Sequence, residues 1–342
     1  MKKHFGLFFL IASAFFSSEA AFAASSISTF PQDIVRIFYY REGTNARNSL
    51  FNNPTKIDIL APQSYSVDSD GNLAGAIETD VLDFARTHDI KIMPLVTNKG
   101  FGQGSLATVL NDSSKQDALV SALINESKKH NFYGFQVDFE QMAVSYKDKF
   151  SAFIKKLADA MKKENLITSV AVISKISDNP ADYKEGLYDK LIGAYDYSAL
   201  AGSTDFISVM SYDDPDSKGA IARYEWLQKV VAYSSLHIPK EKISLGLALY
   251  YWSWRNSTQK LISIGGYEGM QNVLKKYDPT YVYSTIQHAP YLTYVKNKVR
   301  HTMWYENGRS VKEKISIIKA HGFHGFSAWA LGLEVPSVFD SV

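Results

Sequence analysis

The chain contains no cysteine in its 342 residues. That absence removes disulfides, thiolate metal sites, a lipid-modified cysteine anchor and a cysteine nucleophile together. Stability is left to the apolar core, and a chain this long can bury one. Concentrated charge is missing too: 37 Lys and Arg are interspersed with 35 Asp and Glu, and no basic block stands out. Nucleic acid and anionic membrane surfaces are therefore not expected as partners. Beyond the N-terminus no apolar run approaches membrane-spanning length, so no span is expected. The eight histidines show no metal-ligand spacing. His321 and His324 flank a connecting glycine and read as structural or surface groups, and no metal or other cofactor is predicted. Gly100-Phe101-Gly102-Gln103-Gly104 fails the nucleotide-binding spacing and no phosphate-loop Lys-Ser/Thr follows it. A G-x-S-x-G elbow is also lacking.

What is present begins with a leader. Lys2 and Lys3, the apolar run Phe5 to Phe16 and the small-x-small site Ala21-Phe22-Ala23 read as a secretory signal over residues 1–23. The mature chain, 24–342, is then expected in the periplasm or outside the cell, as a monomer. Aromatics make up 13% of the sequence, with 21 Tyr. A tyrosine offers a flat apolar face and a hydrogen-bonding edge, a combination that suits sugar rings as well as cores.

Apolar strand-like runs alternate with amphipathic helical runs along the whole chain. Strands are predicted at Val35 to Tyr40, Ile57 to Pro62, Ile90 to Val96, Tyr133 to Glu140, Ile167 to Ile173, Asp205 to Tyr212, Ile243 to Tyr250 and Gly325 to Trp329. Helices are predicted near 79–87, 115–129, 150–161, 223–233 and 311–320, the last opened by a capping box at Ser310 with Glu313. Gly100 to Gly104 reads as a glycine-rich loop. Eight βα units predict an α/β fold, a (β/α)8 TIM barrel. The connection from Tyr250 to Gly325 is longer than one helix needs. It contains a hairpin pattern at 291–305 and predicts a small α+β insertion between strand 7 and strand 8, residues 251–310.

The most informative stretch is Tyr133-Gly134-Phe135-Gln136-Val137-Asp138-Phe139-Glu140. Its strict alternation sends Phe135, Val137 and Phe139 to one face and Gln136, Asp138 and Glu140 to the other. Two carboxylates on one face of an inner strand repel each other and are costly to desolvate. Such pairs are kept where one carboxyl must hold a proton and the other must stay charged. Active sites of barrels form at the C-terminal ends of strands. Tyr40, Gln63, Asn98, Glu140, Tyr212, Asp213, Tyr250 and Trp329 all fall there, and their aromatic, amide and carboxyl groups are the usual lining of a carbohydrate site.

The stretch resembles the D-G-x-D-x-D-x-E signature of glycoside hydrolase family 18, the chitinases and related N-acetylglucosaminidases. Asp138 and Glu140 match its last two acids, whereas Tyr133 and Gln136 replace its first two. Three further segments resemble the family in order: Met210-Ser211-Tyr212-Asp213, Lys242 to Tyr250 with Gly246, and Trp329-Ala330-Leu331-Gly332. The spore-cortex branch, which lyses peptidoglycan, also relaxes the first two acids and is the most similar. The resemblance implies a hydrolase of β-1,4-linked N-acetylglucosamine polymers acting through substrate assistance. It implies Glu140 as the acid, Asp138 and Tyr212 as acetamide partners, and Trp329 as the floor under the sugar. Met210, Asp213, Gln136, Tyr40, Asn98 and Tyr250 complete the expected substrate contacts. A catalytically silent, lectin-like barrel is the alternative. A carboxylate-bound metal barrel is disfavoured by the lack of histidine partners.

Overall fold

The computed structural model describes residues 34–342, and the reading of 1–23 as a leader lies outside the described residues. The first half runs β1 (Val35–Tyr40), α1 (Thr44–Asn52), β2 (Ile59–Pro62), β3 (Tyr65–Val67), β4 (Leu73–Gly75), α2 (Thr79–Thr87), β5 (Lys91–Ile92) and β6 (Leu95–Asn98). Next come α3 (Gln103–Asn111), α4 (Ser113–His130), β7 (Gly134–Asp138), α5 (Lys147–Lys163), β8 (Ile167–Ile173), α6 (Tyr197–Ser203), β9 (Phe206–Met210), α7 (Tyr224–His237) and β10 (Ile243–Ala248). A second sheet and its helix follow as β11 (Tyr251–Arg255), β12 (Lys260–Gly265), α8 (Tyr267–Lys276), β13 (Thr280–Ser284), β14 (Ala289–Lys296) and β15 (Val299–Trp304). The chain returns through α9 (Gly308–His321) to β16 (Gly325–Trp329).

The parallel strands close into a TIM barrel. Strand order runs β3-β6-β7-β8-β9-β10-β16-β1-β2-β5, with β4 pairing antiparallel on the outer side of β3. The predicted third strand is broken in two, and the second, which ends at Pro62 as predicted, is continued by the separate β3. Pro94 interrupts the third, because proline has no N–H to give to a ladder. The backbone nevertheless continues across it: Met93 donates to the Leu60 carbonyl and Gln136 donates to the Pro94 carbonyl, each at 2.9 Å. The lower half, β5, thus pairs with β2 while the upper half, β6, pairs with β3 and β7. Counting β2/β3 and β5/β6 as one strand each gives the eight staves.

Alternation on β7 sorts the side chains as the pattern requires. Phe139 packs against Phe150 and Phe153 of α5 with centroids 6.2 and 6.1 Å apart. Phe150, Phe153, Ile154, Leu157 and Met161, spaced for one helix face, are all buried there. Each such side chain contributes about 1.5–3 kcal/mol on burial. Gln136 and Asp138 turn inward, buried within the barrel.

Three local readings are corrected. The glycine-rich segment gives way to helix α3 from Gln103: Gly100 and Phe101 take left-handed φ values of 63° and 51°, and the chain is helical two residues later. The cap of α9 is Asn307 rather than Ser310: the Asn307 side chain accepts from Ser310 N–H, and Ser310 Oγ accepts from Asn307 N–H. Glu313 instead pairs with His288 and Arg309. The strand after α7 stops at Ala248, and Tyr251 already starts the antiparallel sheet β12-β11-β15-β14-β13.

Candidate active site

The C-terminal ends of the staves surround a cavity of about 710 Å³. Asp138, Glu140, Met210, Tyr212, Asp213, Tyr250 and Trp329 all line it. Gln63 lines it as well. Residues from five staves and the segments that follow them therefore line one cavity.

Glu140 sits two residues beyond the end of β7 at Asp138, past the outward-facing Phe139, and its backbone is clamped. Asn98, fully buried at the end of β6, accepts the Glu140 N–H through Oδ1 at 2.9 Å and donates through Nδ2 to the Glu140 carbonyl at 3.1 Å. Tyr195 donates its hydroxyl to the Phe139 carbonyl at 2.6 Å. Gln141, next in the chain, takes a left-handed φ of 54° that turns the backbone away. Burial raises the Glu140 carboxyl above its usual range, and the charge of Asp213 adds to the rise. A proton is thereby held on Glu140 at a pH where an exposed glutamate has lost it.

Asp138 is only 3% exposed, and its Oδ1 is buried with no hydrogen-bond partner among the described residues. Burial first, and the neighbouring charge of Glu140 second, push its carboxyl well above the ordinary value. Tyr212 is also pushed up by burial and stays a neutral hydroxyl. Its ring has room because residue 246 is glycine: a Cβ there would lie 2.8 Å from the ring and 2.6 Å from the Val209 carbonyl. Gly246 of β10 is thus a packing requirement of Tyr212, two residues beyond β9. Asp213, at a left-handed φ of 59°, accepts a hydrogen bond from the Tyr250 hydroxyl. Burial raises its carboxyl and that hydrogen bond opposes the rise.

Three expected sugar contacts lie elsewhere. Tyr40 points outward, into the core under the helices, and donates to Glu78 at 2.9 Å. Its neighbour Tyr39 faces inward in its place, lines the cavity and stacks at a tilt on Trp329, centroids 5.2 Å apart. Asn98 is the backbone clamp just described. Gln136 lies below the cavity floor, its amide held by the Tyr39 hydroxyl at 2.8 Å and by Ser169 and Ser208 at 2.9 Å each. Both N–H groups of that amide are engaged, so Gln136 has no donor left for Asp138.

Sequence reasoning missed the wall formed by Tyr183, Leu187, Leu191 and Ile192, and the rim residues Arg41 and Ile264. The wall joins the coil at Tyr183 to the single wide helical turn Tyr188–Ile192, which is too short to write a period into the sequence. Arg41 was legible: it lies two residues beyond Tyr39, on the same side of β1.

The family model for glycosyl hydrolases family 18 matches residues 35–334. The chain belongs to that family. It is a glycoside hydrolase. Among curated proteins it is 26% identical over 313 residues to the uncharacterized glycosylase YvbX of Bacillus subtilis, covering 89% of each chain. It is 25% identical over 300 residues to the cortical fragment-lytic enzyme of the same organism, covering 82% of this chain and 66% of that one. Among solved structures, a chitinase from Chromobacterium violaceum superposes with a TM-score of 0.80 at 24% identity, covering 91% of this chain and 98% of the other. The spore cortex-lytic enzyme SleL of Bacillus cereus gives 0.80 at 23% identity, covering 90% and 73%. Both superpositions carry the barrel fold.

Proposed function

We propose that the protein hydrolyses β-1,4-linked N-acetylglucosamine polymers, peptidoglycan or chitin, with retention of the β configuration, and that it is exported to do so. The observation that carries the reading is the unpartnered, buried Oδ1 of Asp138 beside a raised Glu140 in one cavity with Tyr212. A carboxyl with no protein partner fits a substrate N–H, and a 2-acetamido group supplies one. The chitinases and cortex-lytic enzymes among the relatives support the same substrate class.

In this mechanism Glu140 gives its proton to the glycosidic oxygen as the C1–O bond breaks. The acetamide carbonyl oxygen bonds to C1 from the opposite face and forms an oxazolinium ion. Asp138 accepts the acetamide N–H through its unpartnered oxygen, and Tyr212 donates to the acetamide oxygen. Glu140, now a carboxylate, takes a proton from water, whose oxygen attacks C1 and reopens the ring. Two inversions leave the β-anomer. Trp329 lies under the apolar face of the sugar. A silent, lectin-like barrel is disfavoured because the acid is retained.

NMR of the first-formed product of N-acetylglucosamine oligomers, together with mass spectrometry of digests of peptidoglycan and chitin, tests the reading. A β-anomer supports it. An initial α-anomer would leave a water-attacking, inverting pair, and no cleavage of either polymer would remove the substrate class. Export is tested separately by N-terminal sequencing of the mature protein, expected to begin near Ala24.

A further inference from the structure

Of the charged side chains that line the cavity, Asp138, Glu140 and Asp213 are acids, and Arg41 is the one cation among the described residues. Its position follows from β1. Tyr39 faces the barrel interior and Tyr40 the helices, so the next residue turns back over the cavity mouth. Other arginines near the barrel are committed to carboxylates: Arg36 to Asp58 at 2.7 Å, Arg223 to Asp214 at 2.5 Å and Arg47 to Asp80. Arg41 forms no such ion pair among the described residues. Nor is its charge used on the catalytic acids, since both Glu140 and Asp138 rise under burial and neighbouring negative charge.

A cation at the rim of an acid-lined cleft has a purpose only if the ligand brings an anion. Chitin is uncharged. A glycan that alternates N-acetylglucosamine with muramic acid bears a lactyl ether carboxylate on every second sugar, or a stem peptide with its own carboxylates. Whichever of the cavity carboxyls is ionised would repel that charge unless a cation met it. The planar guanidinium matches a carboxylate with two parallel hydrogen bonds.

We infer that Arg41 is the receptor for a carboxylate carried by the sugar next to the cleaved one, and that it selects muramic-acid glycans over neutral ones. The inference rests on the proposed reading of the cleft as an N-acetylglucosamine-glycan site.

The test compares wild type and Arg41→Gln on four substrates. These are peptide-free alternating strands, the same strands with the lactyl carboxyl reduced to an alcohol, strands with stem peptides, and chitohexaose. Arg41→Gln should lower kcat/KM on the peptide-free strands about five- to ten-fold more than on chitohexaose, through KM, as expected for losing one partly exposed charge-assisted pair. Wild type should lose the same factor when the carboxyl is reduced, and the variant should not distinguish the two strands. In the peptide-bearing strands the lactyl carboxyl is an amide, so a dependence on Arg41 seen only there assigns the anion to the stem. Equal losses on chitohexaose and on both kinds of charged strand would overturn the inference. Calorimetric binding to Glu140→Gln, with and without Arg41→Gln, repeats the comparison without turnover. If wild type cuts none of the four, the proposed reaction falls, while the binding ratio still decides Arg41.

Discussion

Two levels of the same barrel interior treat polar groups in opposite ways. At the level of Gln136, every group finds a partner. Tyr39 donates to Gln136, Gln136 donates to Ser169 and Ser208, Ser208 meets Ser327 at 2.7 Å, and Ser327 meets Ser244 at 2.6 Å. One step up β7, Asp138 holds a carboxyl with an oxygen that meets nothing. A satisfied network rigidifies, whereas an unsatisfied buried carboxyl costs stability. The lower level is a structural floor, and the upper level is held in a state that only a ligand completes.

The largest break of that contrast is Glu140→Gln. It keeps the shape, the Asn98 clamp and the floor, yet removes the proposed proton donor. Turnover should fall by several orders of magnitude with an unchanged circular dichroism spectrum. Retention of a tenth of wild-type turnover would mean that another group is the acid.

Asp138→Asn should separate activity from stability. Turnover should fall on the order of 10²–10³, as for one preorganised partner of developing charge. Stability should move the other way. The folded state raises the Asp138 pKa, so the unfolded chain releases its proton first as pH rises. Below the ordinary carboxylate range both states are protonated and the two proteins should melt together. Above it wild type should fall progressively behind the Asn variant, until pH passes the raised folded pKa and the gap becomes constant. Melting midpoints from pH 3 to pH 8 read this directly, and a gap that does not grow with pH would show that the carboxyl is not destabilised by burial.

Asn98→Ala tests the clamp. It leaves the cavity lining intact but frees the Glu140 N–H and carbonyl. We expect kcat to drop about ten-fold with KM little changed, because the acid is less well aimed while the sugar contacts remain. A rise in KM at constant kcat would return Asn98 to the role of a sugar contact.

Gln136→Met breaks the floor instead. Volume is nearly conserved, but the Tyr39, Ser169 and Ser208 hydroxyls lose their shared partner. Leaving such groups unpaired costs roughly 1–3 kcal/mol. Denaturant unfolding should show that loss, and turnover should fall less than in Asp138→Asn. A variant as inactive as Asp138→Asn would mean that the floor takes part in the chemistry.

This contrast also explains what was legible beforehand. The stave at β7 was readable because burial on two different faces writes a period of two into the sequence, and Phe139 and Asp138 obey it. The family pattern picked out Tyr212, Asp213 and Trp329, which line the same cavity as Asp138 and Glu140. Tyr183 and Leu191 were not readable, because a stretch of coil and a five-residue helical turn are too short to show a period. The pairing of Asn98 with Glu140, 42 residues away in sequence, is a contact between neighbouring staves that no local pattern encodes. Tyr40 failed for a simpler reason. The strand end was located correctly, but its parity was not.

That parity gives the smallest and sharpest test. Tyr39 and Tyr40 are adjacent, chemically identical and both buried, yet one hydroxyl serves the floor and the other serves Glu78 behind the barrel wall. Tyr40→Phe removes one hydrogen bond remote from the cavity. It should cost about 1 kcal/mol of stability and leave kcat/KM within about two-fold. Tyr39→Phe strips Gln136 Oε1 of its donor directly beneath Trp329, whose ring Tyr39 touches. It should cost a similar stability but lower kcat by a further few-fold, because the stacking floor and the acid site share that ring. Paired measurement of the two variants cancels the common loss of a tyrosine hydroxyl and leaves only the direction each one faces. A greater loss of activity in Tyr40→Phe than in Tyr39→Phe would reverse the facing of β1, and with it the inward turn that brings Arg41 to the cavity mouth.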